Sequence, residues 1–503
     1  MDSEVNKRLL SQLSTLHSQL CHKGVMIMQK DLYYGTPKKR CANANEKENQ
    51  WAGKKVLIVG MARSGVAAAQ LLCREEAIVT VSDMKPREAF GDKLDALNGL
   101  PVTFRMGEDG IDALRGQDVL VISPGVPIDA PIVKAAKEKG VRVTGEMEMA
   151  STVLKGSLVA VTGTNGKTTT VSLLGAIFEA AGKIAHVCGN IGYPISAAAL
   201  ESKYDHAVVA EVSSFQLETT ETFHPLSAAV LNVTEDHLNR HGTMEVYTGL
   251  KRHIFDAQDE SNFAVLNYDD EICRGMAKGL KSQVLFFSRL QELEQGAFVR
   301  DGKMIVRLGG EEKCVCGADE LKIPGPHNLE NALAAAAVAF SRGVPAPVIR
   351  QALRTFPGVE HRIEFTRELD GVRYINDSKG TNADSTIKAV QSMKAPTVLI
   401  LGGYDKHVSF DGLAEEIVKT PLIENCVLIG VTAGKIEEAL KKAGYTNIRH
   451  AGSMQEAVEV CRALSKPGGN VLLSPACASF DMFEDYEQRG RVFKEIVHSL
   501  HSC

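Results

Sequence analysis

From Lys54 onward, short apolar runs alternate with stretches whose apolar residues recur at helical spacing. The apolar runs are bounded by glycine, proline, serine or aspartate and read as buried strands. The 3.6-residue periodicity between them reads as amphipathic helix. Strand and helix in alternation predict α/β layers on mostly parallel sheets. "KKVLIVGMARSGVAAAQLL" opens the pattern, with a strand at 56–59, a glycine-bearing turn and a small-residue helix. "AIVTVSD" is a second strand ending at Asp83, and "VLVISPGVP" a third that runs into Ser123-Pro124-Gly125. This first unit closes near Gly145. It resembles half of a dinucleotide-binding fold, but Ala62 stands where G-x-G-x-x-G needs its middle glycine. A tight strand–helix turn without a ligand is the alternative reading of that segment.

A second unit opens with "LVAVTGTNGKTTTVSLLG". The strand 158–162 leads to a helix starting near Lys167. The loop between them is a shortened phosphate loop, with Val161 in the slot of the usual first glycine. "HAVVAEVSSFQLE" is a strand ending at Glu211, and "LSAAVLNVTEDHLNRHG" a strand followed by Asp236 and His237. The third unit repeats the design after "FPGVEHRIEF". Its strands end at Asp377-Ser378-Lys379 with Thr381, at Lys406, and at Ser474 with Ser479 and Phe480. Open α/β sheets bind ligands at the carboxyl ends of their strands, so both units carry a loaded edge. Two loaded edges able to face each other suggest a cleft closed by domain motion.

At 503 residues the chain has room for two to four domains. A net charge of −5 argues against a nucleic-acid binder, and no apolar run is long enough to span a membrane. The eleven cysteines are scattered and read as reduced thiols. Residues 1–52 depart from the pattern. "SEVNKRLLSQLSTLHSQL" predicts one amphipathic helix and "GTPKKRCANANEKENQ" a polar, disordered stretch. Together they form an extension outside the fold, with Met26 and Met28 as alternative starts.

The short loop supplies the chemistry. Backbone amides surround a polyphosphate only where no Cβ intrudes, hence Gly163 and Gly166 around Thr164-Asn165. Lys167 neutralises β- and γ-phosphates and the Thr168 hydroxyl suits Mg²⁺. Glu211 alone is an exposed carboxylate; beside this loop it becomes a Mg²⁺ ligand. His237 alone is a packed or capping histidine; beside Glu211 it becomes a ligand to a second ion.

"GTNGKTTT", "GNIG", "EVSSFQLE", "LNVTEDHLNRHG", "PGPHNLENALAA", "EHRIEF", "NDSKGTNADST", "LGGYDKH" and "LSPACASFDMFEDYEQRG" together resemble the Mur ligase family, from about Lys54 to the C-terminus. "EVSSFQLE" and "NDSKGTN" point to its D-glutamate-adding members. The Asp-Asn-Pro-Arg motif expected of the diamino-acid ligase is absent. The resemblance implies three domains: a Rossmann-like UDP-binding domain (53–145), a central P-loop ATPase-like domain with a mostly parallel sheet (146–358) and a C-terminal Rossmann-like domain (359–503). It implies an ATP-dependent amide ligase that joins D-glutamate to UDP-N-acetylmuramoyl-L-alanine through an acyl phosphate. That activity places it in cytoplasmic peptidoglycan precursor synthesis, as a monomer, with no nucleic-acid partner and no membrane insertion.

The resemblance also assigns residues. ATP would contact Gly163, Thr164, Asn165, Gly166, Lys167, Thr168, Thr169, Asn328, Asn331, Arg362 and Asp377. Two Mg²⁺ ions would be held by Thr168, Glu211 and His237. The UDP substrate would meet Arg63, Ser64, Asp83, Ser123, Asn190 and Ser213. D-glutamate would meet Lys379, Thr381, Lys406, Ser479 and Phe480. Lys251, aligned on Tyr-x-x-x-Lys in "YTGLKRHIF", stands where the family carries an N6-carboxylated lysine. An exposed helix lysine is its bland alternative. Three rival activities fit less of the chain. A folylpolyglutamate synthase does not account for the first unit, a P-loop switch predicts one loaded edge, and an oxidoreductase needs the missing glycine.

Overall fold

The structure, a computed structural model, describes residues 49–323, 325–405 and 408–502. The expected helix at 3–20 therefore lies outside the described residues. The three apolar runs of the first unit form strands β1 (Lys55–Val59), β2 (Ile78–Asp83) and β4 (Val119–Ile122), and two strands that carry no such run, β3 (Val102–Met106) and β5 (Arg142–Gly145), complete the sheet. They pair in parallel in the order β3-β2-β1-β4-β5. The helix Arg63–Arg74 buries Ala67, Ala68, Leu71 and Leu72, so its small residues let it pack closely.

The first core reaches back beyond the boundary the hydrophobic pattern suggests. Trp51, read from sequence as part of the extension, is 4% exposed and belongs to the first core. Its indole Nε1 donates to Thr152 Oγ1 at 3.0 Å, and its backbone N–H donates to Asn49 Oδ1 at 3.1 Å. The indole supplies a large apolar contact and its single polar atom is satisfied.

The second sheet has nine strands: β6 (Ser157–Thr162), β7 (Ala185–Gly189), β8 (Ala207–Glu211), β9 (Ser227–Val230), β10 (Phe263–Asn267), β11 (Gln283–Ser288), β12 (Gly296–Arg300), β13 (Lys303–Leu308) and β14 (Glu311–Gly317). Their order is β14-β13-β12-β11-β10-β9-β6-β8-β7. Pairing is parallel from β7 to β12 and antiparallel from β12 to β14. The parallel strands β8 and β9 are buried throughout, which is why they read as continuous apolar runs rather than alternations. Strand β6 lies between β8 and β9, so the ends of all three converge at one edge.

One core runs through both sheets, from Trp51 and Val56 to Phe223 and Ile254. Arg74 of the first helix donates to the carbonyls of Ala199 and Leu200 at 3.2 and 3.0 Å. The buried Glu146 carboxylate accepts from Ser196 N at 2.7 Å and Ser196 Oγ at 2.5 Å.

The third sheet comprises β15 (Glu364–Leu369), β16 (Val372–Asn376), β17 (Thr397–Leu401), β18 (Ile423–Leu428), β19 (Ile448–His450) and β20 (Asn470–Leu473) in the order β15-β16-β20-β17-β18-β19. Only β15 is antiparallel among these described strands. The chain divides into two compact units. One runs to Ala318 and takes in Asn331–Arg354, with the first two sheets; the other is Asp319–Glu330 with Thr355–Cys503.

Candidate active site

In the first unit the shortened loop joins β6 to the helix Lys167–Ala180. Gly166 sits at φ 84°, in the left-handed region, where a Cβ would stand 2.2 Å from Asn331 Oδ1. Loop shape is fixed from outside: Thr164 N donates to Asn232 O at 2.9 Å and Asn165 N to Asn232 Oδ1 at 2.8 Å. Lys167 Nζ donates to Gly163 O at 2.8 Å and Thr164 O at 2.9 Å, which holds its ammonium against the loop. Thr169 is buried in the first turn of the helix.

Glu211, at the end of β8, gathers two more of the expected residues. Its Oε2 accepts from Thr168 Oγ1 at 2.8 Å and its Oε1 from Asn190 Nδ2 at 2.9 Å. A carboxylate only 2% exposed, with a hydroxyl beside it, offers the hard oxygen donors a divalent cation prefers. His237 stands on the loop after β9 with φ 55°. Its ring packs edge-on against Phe215, with centroids 4.8 Å apart, and its Nε2 lies 3.7 Å from Asp236 Oδ2.

Lys251 lies in the helix Met244–Arg252 and is 1% exposed, which rules out the exposed helix lysine. Its Nζ sits 4.3 Å from the centroid of the Tyr247 ring. Burial first, then the charge of Lys167, pushes the Lys251 pKa well below the usual lysine range.

A buried network that the sequence reading did not identify connects these parts. His241 Nε2 lies 3.0 Å from Ser214 Oγ, and its Nδ1 3.4 Å from Glu218 Oε1. Glu218 pairs with Arg240 at 2.5 Å. The His241 ring stacks on Tyr247, whose hydroxyl is 3.3 Å from Thr164 Oγ1. The available signal was the second histidine four residues after His237 in "HLNRH".

The expected UDP contacts brace turns. Arg63 and Ser64 open the helix Arg63–Arg74. Asp83 accepts from Met61 N at 2.8 Å and Lys85 N at 3.0 Å, and Ser123 Oγ donates to Gly60 O at 2.8 Å. Ser213 caps the helix Ser214–Leu217 in a reciprocal box with Gln216. A cleft lined by Ser123, Pro124, Glu146, Phe215 and Gln216 joins the edge of the first sheet to that helix.

In the second unit Asp377 follows β16 and is 3% exposed. It accepts from Ser474 Oγ at 2.6 Å and Ile363 N at 3.2 Å. Burial raises its pKa to about 6, against the opposing charge of Arg362. Lys379 Nζ donates to the Tyr486 hydroxyl at 3.2 Å. Ser479 is buried, Thr381 half-buried, and Phe480 is 67% exposed with its ring edge-on to Tyr404. Arg489, 1% exposed, was not singled out from sequence. It donates to Ser378 O at 2.7 Å, Ser378 Oγ at 2.9 Å and Cys477 O at 3.1 Å, and so ties together the loops that carry Lys379 and Ser479. Lys406 lies outside the described residues. Asn328 belongs to this unit and is buried; Asn331, on the same helix, belongs to the first unit and accepts from Thr170 Oγ1 at 3.4 Å.

Three family models match in chain order: "Mur ligase MurD-like, N-terminal domain" at 54–145, "Mur ligase middle domain" at 161–339 and "Mur ligase, glutamate ligase domain" at 361–477. The chain belongs to the Mur ligase family. Among similar curated Mur ligases, a UDP-N-acetylmuramoylalanine–D-glutamate ligase of Thermoanaerobacter sp. (strain X514) is 46% identical over 452 residues, covering 89% of this chain and 99% of the relative. The ligase of that name from Clostridioides difficile (strain 630) is 43% identical over 450 residues, covering 89% and 99%. Among solved structures, UDP-N-acetylmuramate-alanine ligase MurC from Thermotoga maritima aligns with a TM-score of 0.56 at 20% identity, over 88% of this chain and 99% of that one. A pseudomurein peptide ligase type C from Methanothermus fervidus aligns with a TM-score of 0.56 at 18% identity, over 89% and 100%. These structures share the three-domain α/β fold expected from the sequence. Mur ligases are ATP-dependent and typically use Mg²⁺. No helix among the described residues is long and apolar enough to cross a membrane.

Proposed function

We propose that this Mur ligase joins D-glutamate to UDP-N-acetylmuramoyl-L-alanine with ATP as the driving substrate, in peptidoglycan precursor synthesis. The observation that carries the reading is the strand-end edge that sets Lys167 beside the buried Thr168–Glu211 pair, in a chain 46% identical to a ligase of that activity across 99% of the relative's length. Residues 53–145 serve the UDP moiety, 146–358 ATP and the reacting carboxylate, and 359–503 D-glutamate and ATP, with residues 1–52 outside these roles. The enzyme acts as a cytoplasmic monomer.

The reaction brings two anions together, a carboxylate and the γ-phosphate, so the residues must supply positive charge and exclude water. The alanine carboxylate oxygen attacks the γ-phosphorus and ADP leaves, giving an acyl phosphate. The D-glutamate amine, having lost a proton, attacks the acyl carbon, and the tetrahedral adduct expels inorganic phosphate. Lys167 leaves its two loop carbonyls for the phosphates, while Gly166 to Thr169, at the start of the helix, present backbone amides and hydroxyls; Gly163 leaves room for the phosphates, and Thr164 and Asn165, whose amides donate to Asn232, hold the loop around them. Thr168, Glu211 and His237 would hold two Mg²⁺ ions, whose charge offsets that of the phosphates. Asn190 orients the Glu211 carboxylate and the sugar-peptide substrate. Lys251 carries a carbamate: its buried neutral amine adds to CO₂ and releases a proton, leaving an anion where an ammonium would repel Lys167.

Arg63, Ser64, Asp83, Ser123 and Ser213 line the path of the UDP substrate. Asn328, Asn331, Arg362 and Asp377 bind the nucleoside and phosphates of ATP. Lys379, Thr381, Lys406, Ser479 and Phe480 bind D-glutamate, whose carboxylates need cations and hydroxyl donors. Oxygen-18 in the alanine carboxylate tests the acyl phosphate. One label should appear in the inorganic phosphate per turnover, and unlabelled phosphate would exclude the intermediate.

A further inference from the structure

Asp377, Ser474 and Thr386 come from three separate elements and meet in the interior of the second unit. Ser474 Oγ lies 2.6 Å from Asp377 Oδ2 and 3.0 Å from Thr386 Oγ1, and Thr386 Oγ1 donates to Ser474 O at 3.2 Å. Ser474 and Thr386 are fully buried and Asp377 is 3% exposed. Space around the carboxyl group is tight: a Cβ on Gly380 would stand 2.7 Å from Asp377 Oδ2 and 2.8 Å from Ser474 Oγ. Ile363 N holds the other oxygen at 3.2 Å. The charged groups facing Asp377 are Arg362, ahead of β15, and Arg489, on the C-terminal helix.

We propose that Ser474 and Thr386 form a two-position hydroxyl relay that holds the Asp377 carboxyl group in one orientation in both of its protonation states. With Asp377 ionised, the Ser474 hydroxyl donates to Oδ2 and Thr386 donates to the Ser474 carbonyl. With Asp377 protonated, its O–H donates to Ser474 Oγ, and the Ser474 hydroxyl turns to Thr386 Oγ1. Thr386 keeps its bond to the carbonyl throughout. Neither state leaves a buried donor orphaned, so the carboxyl group need not rotate as it titrates. A serine serving only as a structural donor would need one acceptor, and here it has one for each state. Ser474 and Thr386 are therefore positioning residues acting through Asp377. That Asp377 in turn serves ATP rests on the function proposed above, whereas the relay itself does not.

The two hydroxyls act on opposite states, so their removal must shift the Asp377 titration in opposite directions. A carboxyl-carbon NMR titration of the full chain reads this directly, with Asp377→Asn assigning the signal. Ser474→Ala removes the donor to the carboxylate and should raise the midpoint by about one pH unit. Thr386→Val removes the acceptor that the protonated state needs and should lower the midpoint. Thr386→Ser keeps the hydroxyl and should titrate as the parent does. Should Ser474→Ala fail to fold, the contrast between Thr386→Val and Thr386→Ser decides. Equal shifts in one direction, or no shift, would overturn the relay. If Asp377 serves the nucleotide, the pH profile of KM for ATP moves with the midpoints. Opposite NMR shifts with an unchanged ATP profile would keep the relay and reject only the nucleotide role.

Discussion

Replacing Lys251 by alanine separates packing from chemistry at the site. The side chain is 1% exposed, so truncation removes about three buried methylenes, worth about 2.4 kcal/mol at roughly 0.8 kcal/mol each. That loss is partly offset, because burial and Lys167 already disfavour the ammonium form. The variant should therefore fold, with stability lower by about 2 kcal/mol or less. Activity should fall far more, by about 10²–10³-fold, the scale for losing one preorganised electrostatic group. The vacated space can admit a short carboxylic acid, and acetate or propionate should restore part of the rate where matched chloride does not. Lys251→Arg should resist rescue, since the guanidinium fills the space and keeps a positive charge. The assays are steady-state phosphate release and thermal unfolding on the same preparations. A fully active Lys251→Ala enzyme, or equal rescue by chloride, would show that Lys251 carries no anion needed at the site.

Lys167→Ala should lose ATP turnover by orders of magnitude with the fold intact, because Gly166, Asn232 and the backbone bonds of Thr164 and Asn165 shape the loop without it. Circular dichroism and a turnover assay check both halves. Deleting residues 1–48 should leave activity and melting temperature nearly unchanged. Trp51→Ala should cost about 3–5 kcal/mol in denaturant unfolding, since it empties a core position and removes the indole donor to Thr152 Oγ1. Asp377 should make the ligand-free protein less stable as pH rises. Its pKa is raised from 3.8 to about 6, so its favourable contribution is complete below about 4 and is lost by about pH 6. Asp377→Asn should flatten that part of the stability profile.

The layers and the loaded edges were legible because parallel strands buried on both faces announce themselves as apolar runs, and their polar residues follow directly. Lys167, Thr168 and Glu211 were singled out this way, and β6 lying beside β8 makes Thr168 and Glu211 neighbours. Contacts between distant segments were not legible. Ser474 meets Asp377 across 97 residues because β20 pairs with β16, a neighbour relation that no local spacing encodes. His241 was not singled out in the sequence, because only the fold brings Tyr247, Ser214 and Glu218 against its ring. Trp51 was assigned to the 1–52 extension because a lone aromatic next to a polar stretch has no period. Only its partner Thr152, 101 residues away, gives it a place.

ATP cleavage on this chain should be coupled to amide formation between two specific substrates. Phosphate release should be measured with ATP and Mg²⁺ alone, with either second substrate added singly, and with both. Sustained release is expected only when D-glutamate and UDP-N-acetylmuramoyl-L-alanine are present together, with one amide product per phosphate. Sustained release that is indifferent to D-glutamate, or that proceeds without the UDP substrate, would contradict that coupling.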